Sequence, residues 1–165
     1  MGPIPVGVSD EGGKVPIMDS PQRVIIVGGV AGGMSAATRL RRLDEHASII
    51  VIERGEHVSF ANCGLPYHLG DAIPDRESLL LHTPETLAAK FQIDVRPQHE
   101  VLAIDRSAHT VTVRDLRADA VSEMAYDKLV LSPGASAVRP PLPGVELAFV
   151  LRNVTDLDWL KAALD

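Results

Sequence analysis

The run of valine and isoleucine at residues 24–27 is followed at once by two glycines and then by a helical pattern over residues 31–45. An unbroken apolar run of this kind is typical of a strand that is buried on both faces of a parallel sheet. A glycine turn between a strand and a helix lets backbone N–H groups approach a pyrophosphate, and the helix N-terminus adds positive potential. This segment therefore predicts a unit of the dinucleotide-binding type.

A second apolar strand, predicted over residues 48–52, supports this interpretation. It ends in Glu53, twenty-five residues after Gly28, where such folds place an acidic side chain against ribose hydroxyl groups. The glycine pattern departs from G-x-G-x-x-G at its middle position, which Val30 occupies. A βαβ unit that binds no nucleotide is the alternative.

Composition argues against several other classes of protein. The 165 residues are enough for one domain, and the formal net charge of −6 argues against a nucleic-acid-binding surface. No apolar run approaches the roughly 20 residues that cross a bilayer, and the histidines lack metal-ligand spacing, so we expect neither a membrane span nor a metal site. The single cysteine excludes an internal disulfide, which favours a cytoplasmic location.

The predicted first helix has two different faces. Three apolar residues at helical spacing are expected to pack on the sheet: Ala36, Leu40 and Leu43. A separate stripe at helical spacing consists of Ser35, Arg39 and Arg42. A basic stripe is most often a solvated surface, but its closeness to the glycine turn leaves an anionic ligand as the alternative.

The only cysteine lies in the segment that follows the second strand. We expect a loop that leads into a short helix beginning near Asn62, with Asn62 as the N-cap and Pro66 in the first turn. Cys63 would then lie at a helix N-terminus, where the local field favours the thiolate. A lone cysteine is more often a small buried residue, but the preceding nucleotide-binding pattern favours a redox role.

The rest of the chain predicts a mixed α/β fold. Thr83 and Pro84 mark the start of a helix that ends near Phe91, and a short strand follows over residues 93–95. From Glu100 onwards, alternating apolar and polar residues predict an antiparallel meander of three strands that is covered on one side. The remaining predictions are a buried strand over 127–132, an extended proline-rich connector over 137–145, a short strand over 149–151 and a helix over 154–164.

Three stretches carry a resemblance to a known family: VIIVGGVAGGMSAATRLRRLDE, VSFANCGLPYHLG, and YDKLVLSPGASA followed by LRNVTDLD. With these segments the chain resembles the flavin-dependent pyridine nucleotide–disulfide oxidoreductases, in particular the single-cysteine branch typified by coenzyme A-disulfide reductase. The pattern S-F-x-N-C-x-L-P-Y is a mark of that branch. The resemblance implies a Rossmann-like FAD/NAD(P)-binding domain with a parallel sheet and a small antiparallel β-meander.

The resemblance also implies a set of binding residues. FAD would be bound at nine positions: Gly28, Val30, Ala31, Gly32, Glu53, Arg54, Val101, Ser132 and Gly134. Coenzyme A, or another small disulfide, would be bound at six positions: Ser35, Arg39, Arg42, Ser59, Asn62 and Lys90. Cys63 would be the redox-active thiol near the flavin, and Asn62 would help to position its sulfur.

The activity implied by the resemblance is reduction of CoA disulfide. Electrons would pass from NAD(P)H to FAD and then to a mixed disulfide between Cys63 and CoA, and the freed thiolate would attack the next CoA disulfide. Two alternatives stay open. One is an NADH oxidase or peroxidase in which Cys63 becomes a sulfenic acid, and the other is a non-catalytic module that binds a nucleotide or CoA.

The chain is expected to divide into three parts. Residues 1–20, which are rich in glycine, proline and aspartate, predict a flexible leader rather than a signal peptide. Residues 21–150 would be the N-terminal part of the FAD-binding domain, and residues 151–165 the start of a connection to a missing NAD(P)H domain. We therefore expect a C-terminally truncated domain that binds FAD weakly by itself, and a homodimer for a full-length relative.

Overall fold

The computed structural model describes residues 20–164, so the predicted leader lies almost entirely outside the described residues. The strands in this part of the chain are β1 (Arg23–Val27), β2 (Ser48–Glu53), β3 (Ile93–Pro97), β4 (His99–Asp105), β5 (Thr110–Asp115), β6 (Ala120–Ala125) and β7 (Lys128–Leu131). The α-helices are α1 (Ala31–Leu43), α2 (Leu65–Leu69), α3 (Pro84–Phe91) and α4 (Val154–Leu164), and short 3₁₀ helices cover Asn62–Gly64, Arg76–Leu79 and Val145–Leu147.

Two sheets form the framework. The first is parallel, with strand order β3-β2-β1-β7, and the second is antiparallel, with order β4-β5-β6. Val24 of β1 lies opposite Ile49 of β2, and Ile25 lies opposite Leu129 of β7, so β1 has a neighbour on each side. The predicted α/β fold, with a parallel sheet and an antiparallel meander, is confirmed.

The apolar residues of β1 enter two different cores. One side of the parallel sheet is covered by α1 and α3, where Ile26 packs with Met34 and Leu87. The other side is covered by the meander, where Ile25 packs with Val111. Burial on both faces explains why the run at residues 24–27 is continuous rather than alternating.

A third core joins the segment of the cysteine to the last helix. Phe60, Leu65 and Leu79 pack there with Val154 and Leu157 of α4. Regular structure in residues 60–79 is limited to one five-residue α-helix and two 3₁₀ helices. Because such short helices are marginal by themselves, this segment depends on its packing against α4.

Two predicted strands differ from the structure. β7 is less buried than predicted: Leu129 and Val130 pack against the cores on the two sides of the sheet, but Lys128 and 58% of Leu131 are exposed. Residues 149–151, predicted as a strand, form none in the described chain. Phe149 instead packs at a tilt on Trp159 of α4, with ring centroids 4.6 Å apart. A high β propensity has its effect only where a neighbouring strand offers backbone partners.

The face of α1 that packs on the sheet is centred on other residues than the predicted Ala36, Leu40 and Leu43. Met34 and Ala37 are buried, and Ala36 and Leu40 pack beside them. The prediction that Leu43 packs on the sheet is wrong, since 67% of its surface is exposed. Leu43 is the last residue of α1. Within residues 20–164, no helix is long and apolar enough to cross a bilayer.

Candidate dinucleotide and thiol site

The turn between β1 and α1 brings three pieces of backbone into close contact. Gly28 has a φ of +102°, and a Cβ atom on it would lie 2.0 Å from the carbonyl oxygen of Ser132, just after β7. A Cβ atom on Gly33 would lie 1.7 Å from the carbonyl oxygen of Gly28. Side chains cannot occupy such positions, so both residues have to be glycine for the turn to pack this closely.

The N-terminus of α1 has no side-chain cap. Its N-cap residue, Val30, makes no capping hydrogen bond, and its first turn carries no acidic residue. By contrast, α3 begins with a capping box in which Thr83 and Thr86 satisfy each other's backbone N–H groups. The N–H groups in the first turn of α1 therefore remain available to a ligand, and the helix dipole favours an anion there.

Both carboxylate oxygens of Glu53 accept backbone N–H groups. Oε2 accepts from Gly29 at 2.7 Å, and Oε1 accepts from Gly55 at 2.6 Å. The residue predicted to meet ribose thus also joins the glycine turn to the loop after β2. Each carboxylate oxygen has a second lone pair, so acceptor capacity is left for the hydroxyl groups of a ligand.

A groove follows the carboxyl ends of β1, β2 and β7. It consists of two adjoining hollows of about 260 Å³ and 310 Å³, which share Glu53, Arg54 and residues 133–135. All nine positions that the resemblance implies for FAD line this groove: Val30, Ala31, Gly32 and Ser132 in the first hollow, Gly28 and Val101 in the second, and Glu53, Arg54 and Gly134 in both. Open α/β sheets bind their ligands at this end of the strands.

Further residues that the sequence patterns did not indicate also line the groove, among them His57, Arg152 and Asn153. Arg152 donates from Nε to the carbonyl oxygen of Ala135 at 2.9 Å, which holds its guanidinium on the loop after β7. This positive charge adds to the potential of the α1 N-terminus. The available sequence signal is the spacing N-x-x-D from Asn153 to Asp156, which marks a helix start directly after Arg152.

Cys63 is exposed and is the second residue of the 3₁₀ helix Asn62–Gly64. The backbone beside it is packed tightly, because a Cβ atom on Gly64 would lie 2.5 Å from Cδ2 of Leu79. A fixed segment therefore presents the thiol to solvent. This location excludes the alternative in which the cysteine is a small buried core residue.

The structure corrects the predicted role of Asn62 as a helix cap. Ala61 occupies the cap position of the 3₁₀ helix, and neither this helix nor α2 begins with a side-chain capping bond. Oδ1 of Asn62 is buried without a partner among the described residues, and Asn62 lines the first hollow of the groove. An unpaired buried polar atom is costly, so this side chain is suited to a hydrogen bond with a ligand or water in the groove.

The six positions implied for coenzyme A are spread over several elements. Three of them form an exposed stripe on α1: Ser35, Arg39 and Arg42. Ser59 is buried with a φ of 50°, and its backbone N–H donates to the carbonyl oxygen of Gly29. Lys90 lies in the last turn of α3, beside a separate hollow. Of the six, only Asn62 lines the groove described above.

Arg41 lies between the two arginines of the stripe but has a structural role. Its guanidinium donates to five carbonyl oxygens at 2.7–3.2 Å, those of Asp44, Glu45, Ala47, Phe91 and Gln92. These bonds join the end of α1 to the end of α3. The guanidinium of Arg41 is therefore occupied by hydrogen bonds to backbone carbonyl oxygens, whereas Arg39 and Arg42 are exposed to solvent.

The chain has an α/β fold of the dinucleotide-binding type, with a groove at the carboxyl ends of the parallel strands and its one cysteine exposed directly after a residue that lines the groove. A family model described as pyridine nucleotide-disulphide oxidoreductase matches residues 22–165. The chain belongs to this family.

Both curated proteins and solved structures are similar to the chain. The coenzyme A disulfide reductase of Staphylococcus aureus strain JH9 is 43% identical over 136 residues, which are 82% of this chain and 31% of that relative. Among solved structures, reduced CoADR-RHD of Bacillus anthracis has 47% identity and a TM-score of 0.84, over 88% of this chain and 27% of that one. The water-forming NADH oxidase of Lactobacillus brevis has 32% identity and a TM-score of 0.79, and the match covers 86% of this chain and 32% of that one. The chain spans about a third of the length of the curated relatives it matches.

Proposed function

We propose that this chain binds FAD in the groove and presents Cys63 as the redox-active thiol of a CoA disulfide reductase. The observation that supports this most directly is that nine positions from four separate segments line one groove at the carboxyl ends of the parallel strands. A long groove with an uncapped helix N-terminus and an adjoining acidic residue suits a dinucleotide. The similarity to coenzyme A disulfide reductase supports the choice of substrate.

Each part of the groove has a role in this proposal. The first N–H groups of α1 and the guanidinium of Arg152 bind the pyrophosphate. Glu53 and Arg54 bind the adenosine end, and Val101 with residues 132–134 closes the groove. Bound FAD supplies a two-electron carrier that NAD(P)H reduces.

The thiolate of Cys63 attacks one sulfur of CoA disulfide, forms a mixed disulfide with one CoA, and releases the other CoA as a thiolate. Reduction of this mixed disulfide by two electrons, which FAD bound in the groove would supply, would break its S–S bond, return Cys63 to the thiolate and release the second CoA as a thiolate. One cysteine is sufficient for this cycle because the substrate provides the second sulfur. Asn62 lies beside the groove and positions the reacting sulfur.

The exposed stripe on α1 provides positive charge for the CoA phosphates. Arg39 and Arg42 offer charge-assisted hydrogen bonds, and Ser35 adds a hydroxyl group to the same face. Lys90 adds a further cation at the end of α3. Ser59, which is buried and has its backbone in the left-handed region, would add a second hydroxyl group to the CoA site.

We also propose a division of the chain that follows from this function. Residues 21–150 form the N-terminal part of the FAD-binding domain, and residues 151–165 begin the connection to an NAD(P)H domain. Both parts contribute to the groove, since Arg152 and Asn153 line it together with residues 132–135.

Two measurements test this proposal. Titration of FAD into the purified chain is expected to quench flavin fluorescence at one flavin per chain, with a dissociation constant on the order of micromolar. Mass spectrometry after incubation with CoA disulfide is expected to find one CoA on Cys63, and Cys63→Ser is the control that forms no adduct. Failure of FAD to bind at saturating concentrations would contradict the proposal.

An NADH oxidase or peroxidase is the second candidate, supported by the 32% identity to the water-forming NADH oxidase of Lactobacillus brevis. In that case a peroxide oxidises the Cys63 thiolate to a sulfenic acid, and the α1 stripe has no role. The double variant Arg39→Ala, Arg42→Ala separates the two candidates. It slows formation of the CoA adduct if CoA disulfide is the substrate, and it leaves oxidation by peroxide unchanged.

A further inference from the structure

Arg152 lies two residues before the first residue of α4, and a carboxylate of that helix accepts its backbone N–H. Oδ2 of Asp156 accepts the N–H of Arg152 at 2.8 Å and the N–H of Asn153 at 3.2 Å. In return, Oδ1 of Asn153 accepts the N–H of Asp156 at 2.8 Å. These three bonds form a reciprocal cap, which starts the helix at a defined residue.

A second contact orients the side chain of Arg152. Its Nε donates to the carbonyl oxygen of Ala135 at 2.9 Å, and one Nη atom lies 3.2 Å from where a Cβ atom on Gly134 would be. The absence of a side chain at Gly134 leaves room for the guanidinium. The Nη groups have no hydrogen-bond partner within residues 20–164, and Arg152 lines the groove.

Asp156 borders a different hollow, which is also lined by Phe149 and by Trp159 of α4. In the described part of the chain its carboxylate bonds to backbone N–H groups and forms no ion pair with the guanidinium of Arg152. The positive charge of Arg152 therefore stays available to an anion. The N-terminus of α4 is already compensated by Asp156, so it does not compete for that anion.

We propose that Asp156 is a positioning residue for FAD: its carboxylate fixes the backbone of Arg152 and thereby keeps the guanidinium on Ala135, facing the groove. This inference rests on the proposed function, since it takes the ligand to be a dinucleotide whose pyrophosphate meets Arg152. Asp156 touches no ligand and acts only through Arg152.

A double-mutant cycle on FAD affinity tests the coupling. Asp156→Ala weakens FAD binding about tenfold, and Asp156→Asn, which keeps an acceptor oxygen, weakens it less than about threefold. In an Arg152→Met background, Asp156→Ala changes the affinity less than about twofold, because there is no guanidinium left to position. Equal weakening in both backgrounds would overturn the proposal. Thr83→Ala is the matched control, because it removes the cap of α3 and leaves FAD affinity unchanged.

A second measurement needs no ligand, so it separates this inference from the proposed function. In a chain with isotope-labelled arginine, the Nε–H signal of Arg152, assigned by its absence in Arg152→Met, exchanges slowly because it is bonded to Ala135. In Asp156→Ala the exchange becomes at least about tenfold faster. An unchanged rate would overturn the positioning role even where FAD binds. A faster rate in a chain that does not bind FAD would support the positioning role and contradict the proposed function.

Discussion

The carboxylate of Glu53 and the backbone N–H of Gly29 are joined by a hydrogen bond of 2.7 Å. The other carboxylate oxygen accepts the N–H of Gly55 at 2.6 Å. The acidic residue at the end of β2 therefore stabilises the glycine turn without any ligand, in addition to the ribose contact that we propose for it. The two roles are separable, because only the first contributes to the stability of the unliganded chain.

Glu53→Gln is expected to lower the free energy of unfolding of the unliganded chain by about 1–3 kcal/mol. The amide keeps one acceptor oxygen but turns an NH₂ group towards the second backbone N–H, which loses its partner. Urea denaturation measures the change. Glu56→Gln, on the same loop and exposed, is the control and should stay within about 0.5 kcal/mol. Wild-type stability in Glu53→Gln would show that the carboxylate does not support the turn.

Two neighbouring glycines of α1 are expected to respond differently to alanine. Gly33→Ala places a methyl group 1.7 Å from a backbone oxygen, so the helix has to move away from β1, at a cost above about 3 kcal/mol. Gly32→Ala places it 3.3 Å from the Oγ atom of Ser132, which can rotate, so the fold is retained. Because Gly32 lines the groove, we expect that variant to bind FAD more weakly at unchanged thermal stability, as measured by circular dichroism and flavin titration. If Gly32→Ala binds FAD with the affinity of the wild type, the proposed placement of the cofactor is contradicted.

The parallel sheet and most of the groove were predictable because local patterns specify them. The valine and isoleucine run requires burial on both faces, and the spacing of Gly28 and Gly33 allows the turn that lines the groove. The burial of this run and the conformation of this turn depend on residues a few positions away in the sequence or on a neighbouring strand of the sheet.

Other features depend on contacts between distant parts of the chain. Arg152 reaches the groove only because its Nε meets Ala135, seventeen residues earlier. Residues 149–151 have strand-like composition but pair with no strand in the described part of the chain. Leu43 continues the apolar spacing of α1, yet it is exposed at the last residue of the helix. A single sequence contains no periodic signal for any of these relationships.

The ion pair between Arg76 and Asp158 predicts a pH dependence of stability. Arg76 donates from Nε and Nη2 to the two carboxylate oxygens at 2.6 and 2.7 Å, and this hydrogen bonding lowers the pKa of Asp158, with smaller contributions from His57 and His68. A carboxyl group whose folded-state pKa is depressed stabilises the fold above its unfolded value of 3.8. That contribution is lost as the pH falls through the lower, folded value.

Asp158→Asn is therefore expected to be less stable than the wild type near neutral pH, by up to about 1 kcal/mol because the pair is partly exposed. The difference should shrink as the pH falls below the unfolded pKa of 3.8, and it should disappear below the lower, folded pKa, where the carboxyl group of the wild type is protonated in the folded chain as well. Urea denaturation at both pH values measures it. A difference that persists in acid would assign the effect to packing of α4 rather than to the ion pair.

Substitutions of two arginines in the second half of α1, Arg41 and Arg39, are expected to have separate effects on stability and on substrate binding. Arg41→Met removes the bonds to five carbonyl oxygens that join α1 to α3, and it should lower the free energy of unfolding by about 2 kcal/mol or more. Arg39→Met, whose guanidinium is exposed, should stay within about 0.5 kcal/mol, and we expect it to slow the formation of the CoA adduct on Cys63. Denaturant unfolding and mass spectrometry measure the two effects. Arg39→Met and Arg42→Met could instead both form the adduct at the wild-type rate. The α1 stripe would then be only a solvated surface, and it would give no support to CoA as the substrate.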